Sequence, residues 1–327
     1  MIFNVVLQTM LIFFLILATG FVAGKFGVIK QEFLPELVKL ITKILLPCLI
    51  FYSTVSSCTR QSVFDNLPML ALAAGFYLTV TIVMLLAAKA LRLSGDRART
   101  FMFCFIFGNT GFVGIPLLSA TFPGVGLLYM ALFSIVDTPV FWTFGVWLAT
   151  AKARRGDHPT GPLEEGGGAV HSARHHLQNL KSVLLTPNVV AIALAFLFVL
   201  AEIPLPSLVS DTLSTISGAT SALCMMYLGA LICFSGVSDA FKSKELYVGV
   251  AVKMVLLPCA IALLLRLTPL PDDMVTCITL IAALPTMTIV PMIASQRGDW
   301  GEYAAGITAA TLAFSLATIP LVAFLVL

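Results

Sequence analysis

Residues 108–116 read Gly108-Asn109-Thr110-Gly111-Phe112-Val113-Gly114-Ile115-Pro116. They lie inside an apolar run, residues 100–121, long enough to cross a bilayer as a helix. Glycine loosens the backbone here, and Pro116 removes one N–H while its ring collides with the preceding turn. The spacing predicts a helix broken near its middle, with free amides and carbonyls at membrane depth. Such backbone is tolerated only inside protein or beside a wet cavity.

The same feature recurs in a second run, residues 274–296. There Ala283-Leu284-Pro285-Thr286-Met287-Thr288-Ile289-Val290-Pro291 places two prolines around a polar pair of threonines. Pro116 and Pro291 take equivalent places. Two further pairs share the order: Leu91-Arg92-Leu93 with Leu265-Arg266-Leu267, and Thr138-Pro139 with Ile319-Pro320. The chain therefore reads as two similar halves.

Outward from these segments the composition sets the solvent. Of 327 residues, 59% are apolar and 11% are charged. A soluble domain holds about 25% charged residues. One soluble core could not hide so much apolar surface, so most of the chain is expected in lipid. Ten apolar runs are long enough to span: 3–24, 35–56, 68–91, 100–121, 125–150, 184–203, 208–236, 246–267, 274–296 and 303–326. None alternates with the period of a membrane barrel. The fold class expected is an all-α polytopic membrane protein, with ten transmembrane helices in two five-helix repeats. An odd number of spans per half inverts the second repeat, a mark of secondary transporters. The domains are 1–151, a linker loop at 152–183 rich in glycine and histidine, and 184–327.

Charge orients the chain. Of the 19 Lys and Arg, 14 fall in loops after the odd-numbered runs, and only Arg60 and Arg266 follow even-numbered ones. The remaining Lys39, Lys43 and Lys253 lie inside runs. This bias places the linker in the cytoplasm and both termini outside or in the periplasm. The first run lacks a basic n-region and carries Lys25 and Lys30 behind it, as a spanning helix does. A net charge of +3 gives no case for nucleic acid. The seven cysteines form no CxxC pair and read as buried hydrophobes. All four histidines lie in the linker, so no metal site is expected in the membrane. Walker, GxSxG and HExxH motifs are absent, so neither an ATP-driven pump nor an enzyme is expected.

The chemistry gathers at the two breaks. Asn109, Thr110, Thr286 and Thr288 offer neutral hydrogen-bonding groups, and Gly111, Pro116, Pro285 and Pro291 free the backbone beside them. Paired interrupted segments are the best sequence pointer to a transporter's binding site, and half-helix N-termini suit an anion. Two ionisable groups lie deep in runs, Lys253 and Asp137, and each needs a cavity or a partner. Lys253 is expected to hold an anionic substrate or to pair with Asp137. Asp137 is the candidate carrier of a coupling proton.

Asn109-Thr110-Gly111-Phe112-Val113-Gly114-Ile115-Pro116-Leu117-Leu118 resembles the first crossover motif of the auxin efflux carrier family. Ala283-Leu284-Pro285 with Ile289-Val290-Pro291 resembles its second crossover, and Leu45-Leu46-Pro47 is also similar. The family includes plant auxin exporters and bacterial organic-acid carriers. The resemblance implies broken helices 4 and 9 crossing at Pro116 and Pro291, where the substrate sits. It also implies a scaffold of helices 1, 2, 6 and 7 that often dimerises, and a mobile transport domain of helices 3–5 and 8–10 moving as an elevator. It implies no cofactor. The short linker fits a prokaryotic, inner-membrane protein. The stretch between Pro285 and Pro291 is one residue longer than the family pattern, and Asp137 and Lys253 match no plant motif.

The function expected is a secondary transporter of a small organic anion such as a dicarboxylate or an auxin-like acid. The alternatives are a cation/proton exchanger using Asp137 and a non-transporting membrane sensor.

Overall fold

The computed structural model describes residues 2–150, 187–234, 241–294 and 300–326. The expected linker, 152–183, lies outside the described residues. The first half begins with α1 (Ile2–Lys25), α2 (Leu34–Leu40), α3 (Leu46–Ser57), α4 (Arg60–Asp65) and α5 (Pro68–Ala90). It continues with α6 (Gly95–Ile106), α7 (Ile115–Thr121), α8 (Val125–Val140) and α9 (Val146–Thr150). After the linker come α10 (Pro187–Leu200), α11 (Ser207–Phe234), α12 (Lys244–Gly249), α13 (Leu257–Leu265), α14 (Asp272–Ala282), α15 (Val290–Ala294) and α16 (Trp300–Val326). Among the described residues there is no strand, only one isolated bridge between Gly108 and Thr286.

Among the described residues, six helices are long and apolar enough to cross a membrane: Phe3–Lys25, Arg60–Ala90, Val125–Ala149, Ser207–Phe234, Lys244–Leu265 and Trp300–Val326. The other apolar runs are shorter or interrupted helices. Run 35–56 holds α2 and α3, run 184–203 holds α10, and runs 100–121 and 274–296 are each split in two. Large apolar side chains cover the outside, among them Leu15, Leu78, Leu263 and Leu264, each more than 60% exposed. Such a surface suits lipid and would be a liability in water.

Among the described residues, four π-turns interrupt the helices: Ile41–Leu45, Thr110–Gly114, Phe141–Gly145 and Val250–Leu256. Three of them end two residues before a proline, at Pro47, Pro116 and Pro258. A proline ring collides with the carbonyl four residues earlier. Widening that turn by one residue moves the carbonyl aside and lets the helix continue. The prolines therefore modulate most spans rather than end them.

Packing is densest in two sets, which also touch each other where α1 meets α16 and α7 and where α3 meets α8. α1 lies along α11, α10 lies along α3, and α3 also touches α11. At the α1–α11 seam a Cβ on Gly229 would fall 1.9 Å from the Leu17 carbonyl oxygen, and one on Gly20 would fall 2.1 Å from that of Met226. The two backbones are in direct contact there. The second set packs α5 against α6 and α8, α13 against α14, and α15 against α16. The two broken runs form its centre. Every residue from Met274 to Thr286 is buried, and so is every residue from Thr100 to Leu118 except Gly111. A helix apolar on all sides belongs at the middle of a large bundle.

Both chain ends reach one face. The rings of Phe3 and Phe324 lie 5.6 Å apart, and the Arg266 guanidinium donates to the Val326 carbonyl. Elsewhere Arg97 Nε lies 2.8 Å from Glu245 Oε1, and the Tyr303 hydroxyl donates to the same carboxylate. That contact joins the beginnings of α6, α12 and α16.

Candidate functional site

The helix of α6 stops at Ile106 because its next residues turn extended, with Phe107 at φ −98° and ψ 110°. Asn109 then caps the π-turn Thr110–Gly114. Its side-chain oxygen accepts from the Phe112 amide at 3.1 Å, and its carbonyl accepts from the Gly114 amide at 2.9 Å. On the other side α14 stops at Ala282, and residues 284–287 run without helical structure.

The two interruptions meet. Asn109 donates its amide to the Pro285 carbonyl at 2.7 Å, and Met287 donates to the Phe107 carbonyl at 3.0 Å. The Gly108–Thr286 bridge lies between these two bonds. Buried backbone must find partners, and each break supplies them for the other. Space is tight around them. A Cβ on Gly114 would fall 2.8 Å from Met130 Cε and 2.9 Å from Leu284 Cδ1.

Among the predicted side chains, Asn109, Thr110 and Thr286 are buried at 1%, 6% and 2% exposure. Two polar atoms here have no partner among the described residues, Asn109 Nδ2 and Thr286 Oγ1. Gly111, Thr288 and Pro291 are half-buried, while Pro116 and Pro285 are buried. A small apolar hollow lies beside Ile115, close to the volume one water needs at about 10 Å³. It is lined by Thr54, Met130 and Ser134, among others.

Both intramembrane ionisable groups reach the breaks, one each. Asp137 accepts from the Tyr77 hydroxyl and, at 3.4 Å, from Thr110 Oγ1. Lys253 donates to the Leu284 carbonyl. The pairing of Lys253 with Asp137 that the sequence allowed does not form: neither takes part in an ion pair among the described residues. The reason is positional. Tyr77 and Thr110 already hold the carboxylate, and the break in the second run leaves a carbonyl within reach of the ammonium.

A family model described as membrane transport protein matches residues 5–323, nearly the whole chain. The chain belongs to the auxin efflux carrier family. No curated protein matches it. This auxin efflux carrier family member is thus a membrane transporter, and its apolar helices make it a multi-pass membrane protein.

Two neighbours of the candidate site in this transporter escaped sequence reasoning. Tyr77 holds Asp137, and the Thr311 hydroxyl accepts from the Thr286 amide at 3.2 Å. Tyr77 carried a usable signal. It lies well inside the run 68–91, away from the interfacial belt where tyrosines gather, and a buried phenol needs a partner. Thr311 carried none, because α16 is dense in small and hydroxylated residues throughout.

Proposed function

We propose that this protein is a secondary carrier of a small organic anion, a mono- or dicarboxylate, bound where the two broken runs meet. The observation that carries this reading is the pair of unpartnered buried atoms, Asn109 Nδ2 and Thr286 Oγ1, on backbone already joined by the Asn109–Pro285 bond. A buried polar atom without a partner asks for a ligand or water. An amide donor and a hydroxyl suit a carboxylate oxygen. Thr110, Thr288 and the backbone around Gly111, Pro116 and Pro291 complete the pocket, and Lys253 adds positive charge.

Alternating access follows an elevator. α1, α3, α10 and α11 act as the scaffold and the dimer surface, and the helices around the two breaks move as one body. The dense packing of α1, α3, α10 and α11 among themselves supports this division. The ten-span inverted arrangement draws support from the shared face of the chain ends, which an even number of crossings requires. The chain resides in the cell (inner) membrane, with the linker cytoplasmic and both ends outside.

Asp137 carries a coupling proton in this reading, since it touches the first break through Thr110. The same contact favours a second reading, a cation/proton exchanger with Asp137 at its centre. Proteoliposome uptake of radiolabelled malonate and indole acetate separates them. Uptake by the wild type that Asn109→Ala lowers at least tenfold supports the carboxylate carrier. Cation-driven proton flux without carboxylate uptake, abolished by Asp137→Asn, supports the exchanger.

A further inference from the structure

We infer that the Lys253 ammonium is a built-in counter-ion, filling the place beside the crossing that a free inorganic cation would otherwise take. Its consequence for flux, a substrate moved without an alkali-metal co-ion, rests on the carrier reading above.

Lys253 lies in the π-turn Val250–Leu256, at 1% exposure, and has no carboxylate partner among the described residues. Its ammonium donates to the Leu284 carbonyl, one residue before Pro285. It also lies 3.5 Å from where a Cβ on Gly108 would stand, so it reaches between the two interrupted segments. The Ile281 carbonyl oxygen flanks the same point, 3.7 Å from it.

Two helices end here. α6 stops at Ile106 and α14 at Ala282, each within a few residues of the Gly108–Thr286 bridge. The C-terminal end of a helix carries a partial negative charge in its unsatisfied carbonyls. In transporters with broken helices, such ends and unwound carbonyls are where coupling cations bind. An ammonium offers three donors and a positive charge at this point. Asp137 does not compete for it, being held by Tyr77 and Thr110. The charge is supplied by the chain itself.

The test uses the purified full chain in detergent, melted at equal ionic strength in choline, sodium, potassium or methylammonium chloride. The wild type should melt at one temperature in all four. Lys253→Ala should melt lower in choline and recover by about 3 °C or more in sodium or methylammonium, by mass action. Lys253→Arg, which keeps a cation, should behave as the wild type. An equal loss for Lys253→Ala in every salt, or no loss, overturns the inference. Where Lys253→Ala does not accumulate, Lys253→Met replaces it. If neither accumulates, the wild type decides: a rise specific to sodium or potassium overturns the inference, and indifference supports it. The predicted melting pattern without carboxylate uptake would remove the carrier reading and leave the counter-ion standing.

Discussion

The backbone amide of Asn109 donates to the carbonyl oxygen of Pro285 at 2.7 Å, joining the broken run of one half of the chain to that of the other. Pro285 has no amide to offer, so only its carbonyl can serve, and Asn109 supplies the donor. Asn109 thus does two jobs. Its backbone ties the two breaks together, and its side chain caps the turn beyond.

These jobs separate by substitution. Asn109→Ala removes the cap and should lower stability by about 1 kcal/mol. Asn109→Ser keeps a capping oxygen but loses Nδ2. It should melt close to the wild type, yet lose carboxylate uptake as fully as Asn109→Ala. Thermal melting and liposome uptake on the same preparations check this. Uptake retained by Asn109→Ser would remove Nδ2 from the binding site.

Tyr77 and Asp137 should behave as a coupled pair. Tyr77→Phe leaves one carboxylate oxygen of a buried Asp137 without its phenol partner, at a cost of about 1–3 kcal/mol. Placed on an Asp137→Leu background, the same change should cost much less, because the acceptor is gone. A double-mutant cycle in denaturant reads the difference. Additive losses would show that the contact has no energetic weight.

Helix α11 provides its own control. Gly229→Ala drives a methyl group into the Leu17 backbone at 1.9 Å, which neither helix can avoid without moving. A loss of about 1–3 kcal/mol is expected, as for overpacked cores. Gly218→Ala meets nothing within 4 Å and should be neutral or stabilising. Comparison of melting temperatures suffices, and equal behaviour would place the α1–α11 seam elsewhere.

The Glu245 carboxylate is buried between Arg97 and Tyr303. Arg97 is 55% exposed in its side chain, so Arg97→Ala should cost about 1 kcal/mol or less. Tyr303→Phe should cost more, because it strips a buried carboxylate of a donor. Thermal melting in low and high salt tests the order. Only the Arg97 effect should shrink with salt.

The breaks were legible in the sequence because glycine and proline act locally. Gly108, Gly111, Gly114 and Pro116 weaken a helix wherever it packs, and so do Pro285 and Pro291. Asp137 and Lys253 stand out in the sequence for a similar reason, since a charge within an apolar run is costly in any surroundings. Their partners were not. The acceptor for Lys253 is a backbone carbonyl at Leu284, and every residue carries one, so nothing in the letters marks it. The π-turns before Pro47, Pro116 and Pro258 carry no mark in the sequence beyond the proline itself. Whether a proline ends, kinks or widens a helix depends on what the displaced carbonyl meets.

By itself, then, the order of residues determined a lipid-soluble helical chain, two interrupted runs, and two ionisable groups inside other apolar runs. These follow from solvation and backbone sterics, which act within a few residues. Only the tertiary structure decided that Asn109 meets Pro285, that Tyr77 meets Asp137, that Lys253 meets Leu284, and that Gly20 and Gly229 let two helices touch. Those choices depend on the register between helices distant in sequence. Register is set by the summed fit of many side chains, and no single one carries it.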